Sequence, residues 1–265
     1  MEILKVLHNA VDYSFDAFDF TRDDFTVSYT VGEYIYIGYR KKFKDIYAEL
    51  KTVGTSNVGI FEYYNGTSWV EIPGINDDTR SMKRSGFIKY DNPSDWAQIE
   101  VESNTLYFIR YSQDITESIE FAGINTVFAT DYDLKERYNS IMDFLPEGST
   151  SFISVHQSVN KEIVTNVRNS GKYKMSGCAI KNINVWDFHD RSELNDAAKL
   201  FALSQIFESV SDNIDGKFIQ LSKSFKKQAL EAINLFIMTL DKDDDGDLDT
   251  YEENSAIKVC RIVNI

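Results

Sequence analysis

The sequence predicts an α+β protein of two domains, an antiparallel β-sandwich of jelly-roll-like type followed by an α-helical domain. Two observations support this prediction. Short runs rich in aromatic and β-branched residues, with turn residues between them, fill the first half of the chain. Apolar residues at helical spacing fill the second half. Because the composition changes near residue 130, we expect one domain over residues 1–128 and the other over residues 129–265.

The composition excludes several classes of protein. The chain has 265 residues, of which 43% are hydrophobic, and this is enough for one large or two modest cores. A net charge of −14 argues against a nucleic-acid groove and against docking on anionic lipid. Two cysteines, Cys178 and Cys260, cannot build a disulfide framework. No apolar run has the length of a signal peptide or a membrane helix, so no membrane association is expected.

The first half is predicted to contain eight short strands. In the second of them, Tyr34 and Tyr36 fall on one face, and Ile35 and Ile37 fall on the other. The Asn65-Gly66 turn predicts a hairpin between the fourth strand and the fifth. The strands are Phe25–Tyr29, Glu33–Tyr39, Phe43–Leu50, Val58–Tyr64, Ser68–Ile72, Phe87–Tyr90, Ala97–Val101 and Leu106–Ser112.

The second half is predicted to be helical. Thr130 and Asp133 can cap the first helix, and Asp190 with Glu193 marks the start of the third. Between the second helix and the third, Lys181–Phe188 reads as a hairpin arm or a loop. The apolar stripes are Leu134, Tyr138, Ile141 and Met142; Val155, Val159, Ile163, Val164 and Val167; Leu194, Ala198, Phe201, Ala202, Ile206 and Val210; and Phe218, Leu221, Phe225, Ala229, Ala232, Phe236 and Leu240.

An acidic loop over residues 241–252 fits the EF-hand spacing D-x-D-x-D-G-x5-E. Ca²⁺ takes about six to eight oxygen ligands, and Gly246 permits the sharp turn that brings them together. The first three aspartates would supply carboxylates, the fourth its backbone carbonyl, the fifth a bridging water and the glutamate a bidentate carboxylate. The predicted metal ligands are Asp241, Asp243, Asp245, Asp247, Asp249 and Glu252.

The alternative for this loop is an acidic, solvated turn, since Asp and Gly favour turns without any metal. The sequence has no second loop to pair with this one, and Ser255–Ile265 resembles a strand or a mixed tail more than a long exiting helix. We therefore expect a structural calcium site rather than a sensor, and calcium should stabilise the fold by mass action.

The sequence contains no motif that points to a catalytic activity, and we predict that the chain is not an enzyme. The sequence has no zinc-protease, nucleophile-elbow or phosphate-loop motif. His8, His156 and His189 are scattered, and each is expected at the surface or at a helix cap rather than in a site. Acidic residues are so abundant that a hydrolase using two carboxylates stays open as an alternative.

Several motifs lie between residues 33 and 112. They are Phe61–Val70, Asp78–Thr79, Ser85–Gly86, Asn92–Trp96 and Leu106–Arg110. With these motifs the segment resembles a β-sandwich module of virion proteins of tailed bacteriophages, which carries a Tyr-Asn-Gly…Trp hairpin, a later Pro-x-Asp-Trp and a closing Tyr-x-Ile-Arg strand. We expect Trp69 and Trp96 of these motifs to lie in the core.

Residues from Tyr132 to about Glu253 are predicted to form a short helix, a second helix, an aromatic arm, two long antiparallel helices and a late Asp-x-Asp-Gly loop. In this pattern the segment resembles the head–tail connector (adaptor or ring) proteins of tailed phages. The resemblance implies a virion protein that forms a dodecameric ring under the portal, contacts other connector or tail proteins, and extends the channel through which DNA passes without specific binding. The high content of Asn, Ile, Lys, Tyr and Asp favours a crAss-like phage.

Two segments are expected to contact other copies or partners in such an assembly. The aromatic arm Ile183–Phe188 can insert into a neighbour, or it can pack on its own domain. The residues Val259–Ile265 can add a strand to a partner sheet, or they can form a frayed tail. The sequence also leaves open a different class of function, in which the sandwich is a calcium-assisted glycan- or receptor-binding module of a tail fibre or baseplate.

Overall fold

The computed structural model describes residues 4–18, 24–56, 58–169, 185–188, 194–211 and 216–235. These residues contain twelve β-strands in two antiparallel sheets and five α-helices, so the predicted α+β class is confirmed. The described residues up to Thr126 form one compact unit, and those from Val127 onward form another. Two separate domains with a boundary after residue 128 stay a prediction.

The first unit holds the strands and one short helix, α1 (Ser14–Phe18). Each of the eight predicted strands is present, with its ends moved by at most two residues. The strands are β1 Lys5–His8, β2 Val11–Asp12, β3 Phe25–Tyr29, β4 Ile35–Tyr39, β5 Asp45–Thr52, β6 Gly59–Tyr64, β7 Trp69–Glu71, β8 Asn76–Asp77, β9 Gly86–Lys89, β10 Ile99–Val101, β11 Asn104–Gln113 and β12 Glu117–Asn125. Sequence analysis missed β1, β2, β8 and β12.

The strands form one sheet of seven strands and one of five. The larger sheet has the order β2-β1-β4-β11-β6-β7, with β10 also paired to β11, and the smaller has the order β3-β12-β5-β9-β8. Tyr29 of the smaller sheet packs its ring against His8 and Tyr111 of the larger sheet, with ring centroids 5.5 and 5.9 Å away. The inward faces of the two sheets therefore share one core.

The hairpin between β6 and β7 forms at the predicted Asn65-Gly66 turn. The Asn65 side-chain oxygen accepts hydrogen bonds from the backbone N–H groups of Thr67 and Ser68, at 3.0 and 2.9 Å. Gly66 has φ +93°, a left-handed conformation that glycine adopts without a steric penalty. The turn residues thus set the pairing of Tyr64 with Trp69 across the hairpin.

The second unit is helical, with α2 Asp131–Arg137, α3 Ile153–Asn169, α4 Asn195–Ser209 and α5 Gly216–Leu235. Two short 3₁₀ helices cover Ile141–Phe144 and Val185–Asp187. The predicted cap at Thr130 is confirmed as a capping box, in which Thr130 and Asp133 each satisfy a backbone N–H of the other. Within the described ranges, no helix is both long and apolar enough to cross a membrane.

Helices α4 and α5 form an antiparallel pair at the centre of the second unit. Phe207 of α4 stacks on Phe218 and Phe225 of α5, with ring centroids 5.5 and 5.9 Å apart. Of the predicted aromatic arm, the described Phe188 belongs to the core of its own unit, where its ring meets Phe128 edge-on at 5.6 Å. This packing favours the interpretation that the arm lies on its own chain.

Two glycines of the larger sheet make room for aromatic rings. A Cβ atom at Gly38 would lie 2.3–2.8 Å from three ring carbons of Phe108, and one at Gly59 would lie 2.5 Å from the Tyr111 ring. Phe108 and Tyr111 are both fully buried, so their rings have little space to withdraw.

We expect Gly38→Ala to lower the free energy of unfolding by about 1–3 kcal/mol, because the new methyl group overlaps the Phe108 ring. Gly216→Ala is the matched control, since nothing lies within 4 Å of its Cβ position and alanine favours a helix. Urea unfolding of both variants measures the difference. Equal stability of the two variants would show that Phe108 moves aside without cost.

Tyr29 and Tyr111 are enclosed in the core, and neither hydroxyl has a hydrogen-bond partner among the described residues. Burial raises the pKa of both hydroxyls, and for Tyr111 the nearby carboxylates of Asp77 and Glu117 raise the pKa further. The folded protein therefore holds these protons more tightly than the unfolded chain. Their contribution to stability is complete below the ordinary tyrosine pKa near 10 and is lost as the pH rises above it.

We expect Tyr111→Phe to be at least as stable as the parent at neutral pH, because it removes a buried donor that has no partner. Its alkaline unfolding midpoint should move to higher pH, since one titrating group is gone. Tyr63→Phe is the control: this hydroxyl donates to Asp95 at 2.9 Å, and its loss should cost about 1 kcal/mol. Circular dichroism across pH measures both effects; destabilisation of Tyr111→Phe by as much as Tyr63→Phe would contradict the analysis.

Candidate functional site

The predicted calcium loop lies outside the described residues, and calcium binding there stays a prediction. This applies to all six predicted ligands, Asp241, Asp243, Asp245, Asp247, Asp249 and Glu252. Carboxylates on alternate residues around Gly246 are the hard oxygen donors that Ca²⁺ prefers, so the donor set fits the metal. In the part of the chain that the structure describes, no group of three or more His, Cys, Asp or Glu side chains is placed to hold a metal ion.

The outward face of the larger sheet carries a cluster of half-buried aromatic side chains around an ion pair, which we call the aromatic patch. Its members come from four strands or the turns next to them. They are Tyr34, Tyr36, Glu62, Tyr64, Trp69 and Arg110.

Strand register brings these residues together. Arg110 of the central strand β11 lies opposite Tyr36 on β4 and opposite Glu62 on β6. At the next outward position of β6, Tyr64 lies opposite Trp69 on β7. Side chains alternate between the two faces of a strand, so the residues between these members point into the core instead.

Arg110 is held in one orientation by three neighbours. Its Nε donates a hydrogen bond to Glu62 Oε2 at 2.7 Å. Its Cζ lies 3.8 Å from the centroid of the Tyr34 ring and 4.6 Å from that of Trp69, so the guanidinium makes cation–π contacts with both rings. Among the described residues, only Glu62 shares a hydrogen bond with this guanidinium. No described residue hydrogen-bonds to its Nη atoms, and the Arg110 side chain keeps 15% of its surface exposed.

The rings of the patch form a continuous aromatic surface. Trp69 lies 5.7 Å from Tyr36 and 5.8 Å from Tyr64 between ring centroids, and Tyr34 lies 6.1 Å from Tyr36. The expectation that Trp69 lies in the core was wrong, because β7 is an edge strand and places this ring outward, where it is half-buried. Trp96 is a core residue as predicted, 3% exposed.

The patch is not cationic despite its arginine. Glu62 neutralises Arg110, and both side chains are largely covered, at 15% exposure for Arg110 and 18% for Glu62. Glu71 faces Glu62 across the β6–β7 hairpin and adds a second negative charge. The arrangement can therefore offer hydrogen-bond donors, acceptors and ring faces, but it has no net attraction for an anion.

The histidines differ from their prediction, because both described ones are buried. His8 is 4% exposed, and its Nδ1 and Nε2 lie 3.0 and 3.2 Å from the carbonyl oxygens of Tyr34 and Ser28. His156 is 3% exposed, and its Nε2 lies 2.9 Å from Asp131 Oδ1. Each ring joins two elements of its own unit. His189 and Cys178 lie outside the described residues.

Sequence analysis missed the role of Arg110, Glu62 and Trp69. The available signal was the alternation over residues 34–37, which puts Tyr34 and Tyr36 on the face opposite Ile35 and Ile37. A strand with aromatic side chains on one face and aliphatic side chains on the other has no polar face. Its outward side is therefore not the usual polar surface. The position of Arg110 next to Tyr36 and Glu62 could not be predicted from the sequence, since it depends on strand order.

Comparison with known proteins gives no relative to set beside this site. No protein-family model matches the chain, and no curated protein or solved structure matches it either. The site is therefore interpreted from its own geometry.

We expect a double-mutant cycle of Glu62→Gln and Arg110→Met to give a coupling energy of about 1 kcal/mol in unfolding, because the pair is largely covered and has a charge-assisted hydrogen bond. The same kind of cycle on Lys5 and Asp12 is the control. That pair is 2.7 Å apart but more exposed, at 30% and 47%, and solvent should screen most of its coupling. Equal coupling in the two cycles would mean that the patch does not hold Arg110 in place.

Proposed function

We propose that the chain is a structural, non-enzymatic protein of a tailed-phage virion that forms a ring in the head–tail connector. In that role it joins the portal to the tail and extends the DNA channel. The resemblance of residues 132–253 to connector proteins supports the proposal. The succession of a short helix α2, a longer α3 and the antiparallel pair α4 and α5 agrees with the order of helices on which that resemblance rests.

One observation carries the proposal: within the part of the chain that the structure describes, helix α5 packs on one side. Its buried residues, Ser222, Ala229 and Ile233, face the core of the unit, whereas α4 is buried along most of its length. Away from that side, Ile219 and Leu230 remain 42% and 39% exposed. These two residues are eleven positions apart, about three helical turns, so they lie on the same flank of α5, and an apolar flank of this kind supports contact with a neighbouring chain, as a ring requires.

The finer features of the proposal come from the sequence. The first unit would be a jelly-roll-like sandwich domain on the outside of the particle. The second would be a helical connector domain that is stabilised by calcium bound at its EF-hand-like loop. The net charge of −14 suits a conduit, because like charge opposes binding of DNA phosphates as the genome passes. The proposed partners are further copies of the chain, the portal protein and other connector or tail proteins.

Electron microscopy of the purified protein should show rings, and mass spectrometry should find the chain in assembled particles. Ile219→Glu with Leu230→Glu should prevent ring formation, since both changes put charge into the contact. Gln220→Glu with Gln228→Glu is a control that adds the same charge to the same helix. A persistent monomer that never enters particles would refute the proposal.

Calcium binding at the loop is tested separately. Calorimetric titration with CaCl₂ should give saturable heat that Asp241→Ala and Glu252→Ala each reduce strongly, because each removes a carboxylate from the ligand set. Calcium should also raise the melting temperature of the parent. Undiminished heat in both variants would end the claim and leave the solvated-turn interpretation.

The second candidate function is the glycan- or receptor-binding module of a tail fibre or baseplate. A specific observation favours it: the aromatic patch puts partly exposed tyrosine and tryptophan rings next to an oriented Arg110. Tyrosine, tryptophan and arginine are the residues that most often dominate binding energy at recognition surfaces.

A further inference from the structure

We propose that the aromatic patch is a calcium-independent binding site for a neutral glycan. A pyranose ring would stack on Trp69 and its neighbouring tyrosines, while Arg110 and Glu62 hydrogen-bond to its hydroxyl groups. The inference deepens the second candidate function and rests on it, and it does not depend on the connector proposal.

The polar centre of the patch is arranged before any ligand arrives. Glu62 binds the Nε side of the guanidinium, and the rings of Tyr34 and Trp69 lie close to its Cζ atom, so the Nη groups are restrained in position. A rigid donor group loses little conformational entropy when it binds. Beside it, the Glu62 carboxylate can accept further hydrogen bonds. A donor and an acceptor side by side suit neighbouring hydroxyl groups of a sugar.

The charge of the patch selects a neutral ligand over an anionic one. Arg110 already has a carboxylate partner at 2.7 Å, and Glu71 lies across from that partner. A carboxylate or phosphate ligand would have to compete with Glu62 and would be repelled by Glu71. A neutral polyhydroxylated ligand meets neither obstacle.

The rings supply the apolar half of the site. The Trp69 ring lies 5.7 Å from the Tyr36 ring and 5.8 Å from the Tyr64 ring, measured between centroids. All three rings are half-buried at the surface. A pyranose has a face of C–H bonds that packs on an aromatic ring and a rim of hydroxyls that reaches polar groups. The patch has the same two parts, with rings on one side and the Arg110–Glu62 pair on the other.

The site needs no metal. Of the two carboxylates in the region, Glu62 is held by Arg110, which leaves too few oxygen donors for the coordination that Ca²⁺ requires. This separates the inference from the calcium-assisted version of the second candidate function, which depends on the loop over residues 241–252.

The test is a titration with neutral hexasaccharides (maltohexaose, cellohexaose and hexa-N-acetylchitohexaose), with and without EDTA, with hexagalacturonate as the anionic comparison. Trp69 is half-buried at the surface, whereas Trp96 and Trp186 are buried, so a ligand on the patch would change the fluorescence of Trp69. We expect saturable change with at least one neutral sugar, unaffected by EDTA, and weaker change with hexagalacturonate.

Calorimetry of variants then locates the site. Trp69→Ala should weaken binding by at least about tenfold, because it removes the stacking ring. Arg110→Lys keeps the charge but loses the planar donor group, and it should weaken binding by a similar factor. Trp69→Phe should retain part of the affinity. Tyr132→Ala, which removes a 70% exposed aromatic ring in the other unit, should bind like the parent.

Three results would overturn the inference: no binding of any neutral sugar, preference for hexagalacturonate, or loss of binding in EDTA. A defect of the patch variants in assembly, with no sugar binding by the parent, would also overturn it and would identify the patch as a protein contact. Sugar binding by a chain that forms no rings would uphold it while refuting the connector proposal.

Discussion

The strict alternation of side chains along β11 is the constraint on which both faces of the larger sheet depend. Its inward residues Ile109 and Tyr111 are fully buried against the smaller sheet. Its outward residue Arg110 lies between them and anchors the aromatic patch. A slip of one residue in the pairing with β4 or β6 would send the arginine into the core and a tyrosine out of it. The core and the patch therefore enforce the same register from opposite sides.

Glycine makes this aromatic-rich sheet possible. Phe108 lies over Gly38, and Tyr111 lies over Gly59, each in a space that a Cβ atom would fill. Closely packed rings of this kind leave little room for polar partners, which is why the hydroxyls of Tyr29 and Tyr111 are buried without a hydrogen bond to any described residue. Stability at the core thus comes from ring packing, while the polar groups that can act on a ligand lie on the outer face.

The local features of this fold could be predicted from the sequence, because short-range chemistry determines them. Asn65-Gly66 sets its turn, Thr130 and Asp133 form their cap, and the alternating runs become strands. Strand β12 was missed because a bulge between Glu120 and Gly123 interrupts its alternation. The patch was out of reach for a different reason: Glu62 and Arg110 are 48 residues apart, and only the order β4-β11-β6 makes them neighbours.

The two proposed roles place different demands on the charge of the aromatic patch, and the Arg110–Glu62 pair is compatible with both. A conduit for DNA must not retain phosphates, and a site built on a free arginine would retain them. Pairing Arg110 with Glu62 keeps the planar donor group while cancelling its charge. The same ion pair that favours a neutral ligand therefore also makes the patch compatible with a particle packed with nucleic acid. Because the patch lies in the first unit and the one-sided helix α5 in the second, each surface can be altered without touching the residues of the other.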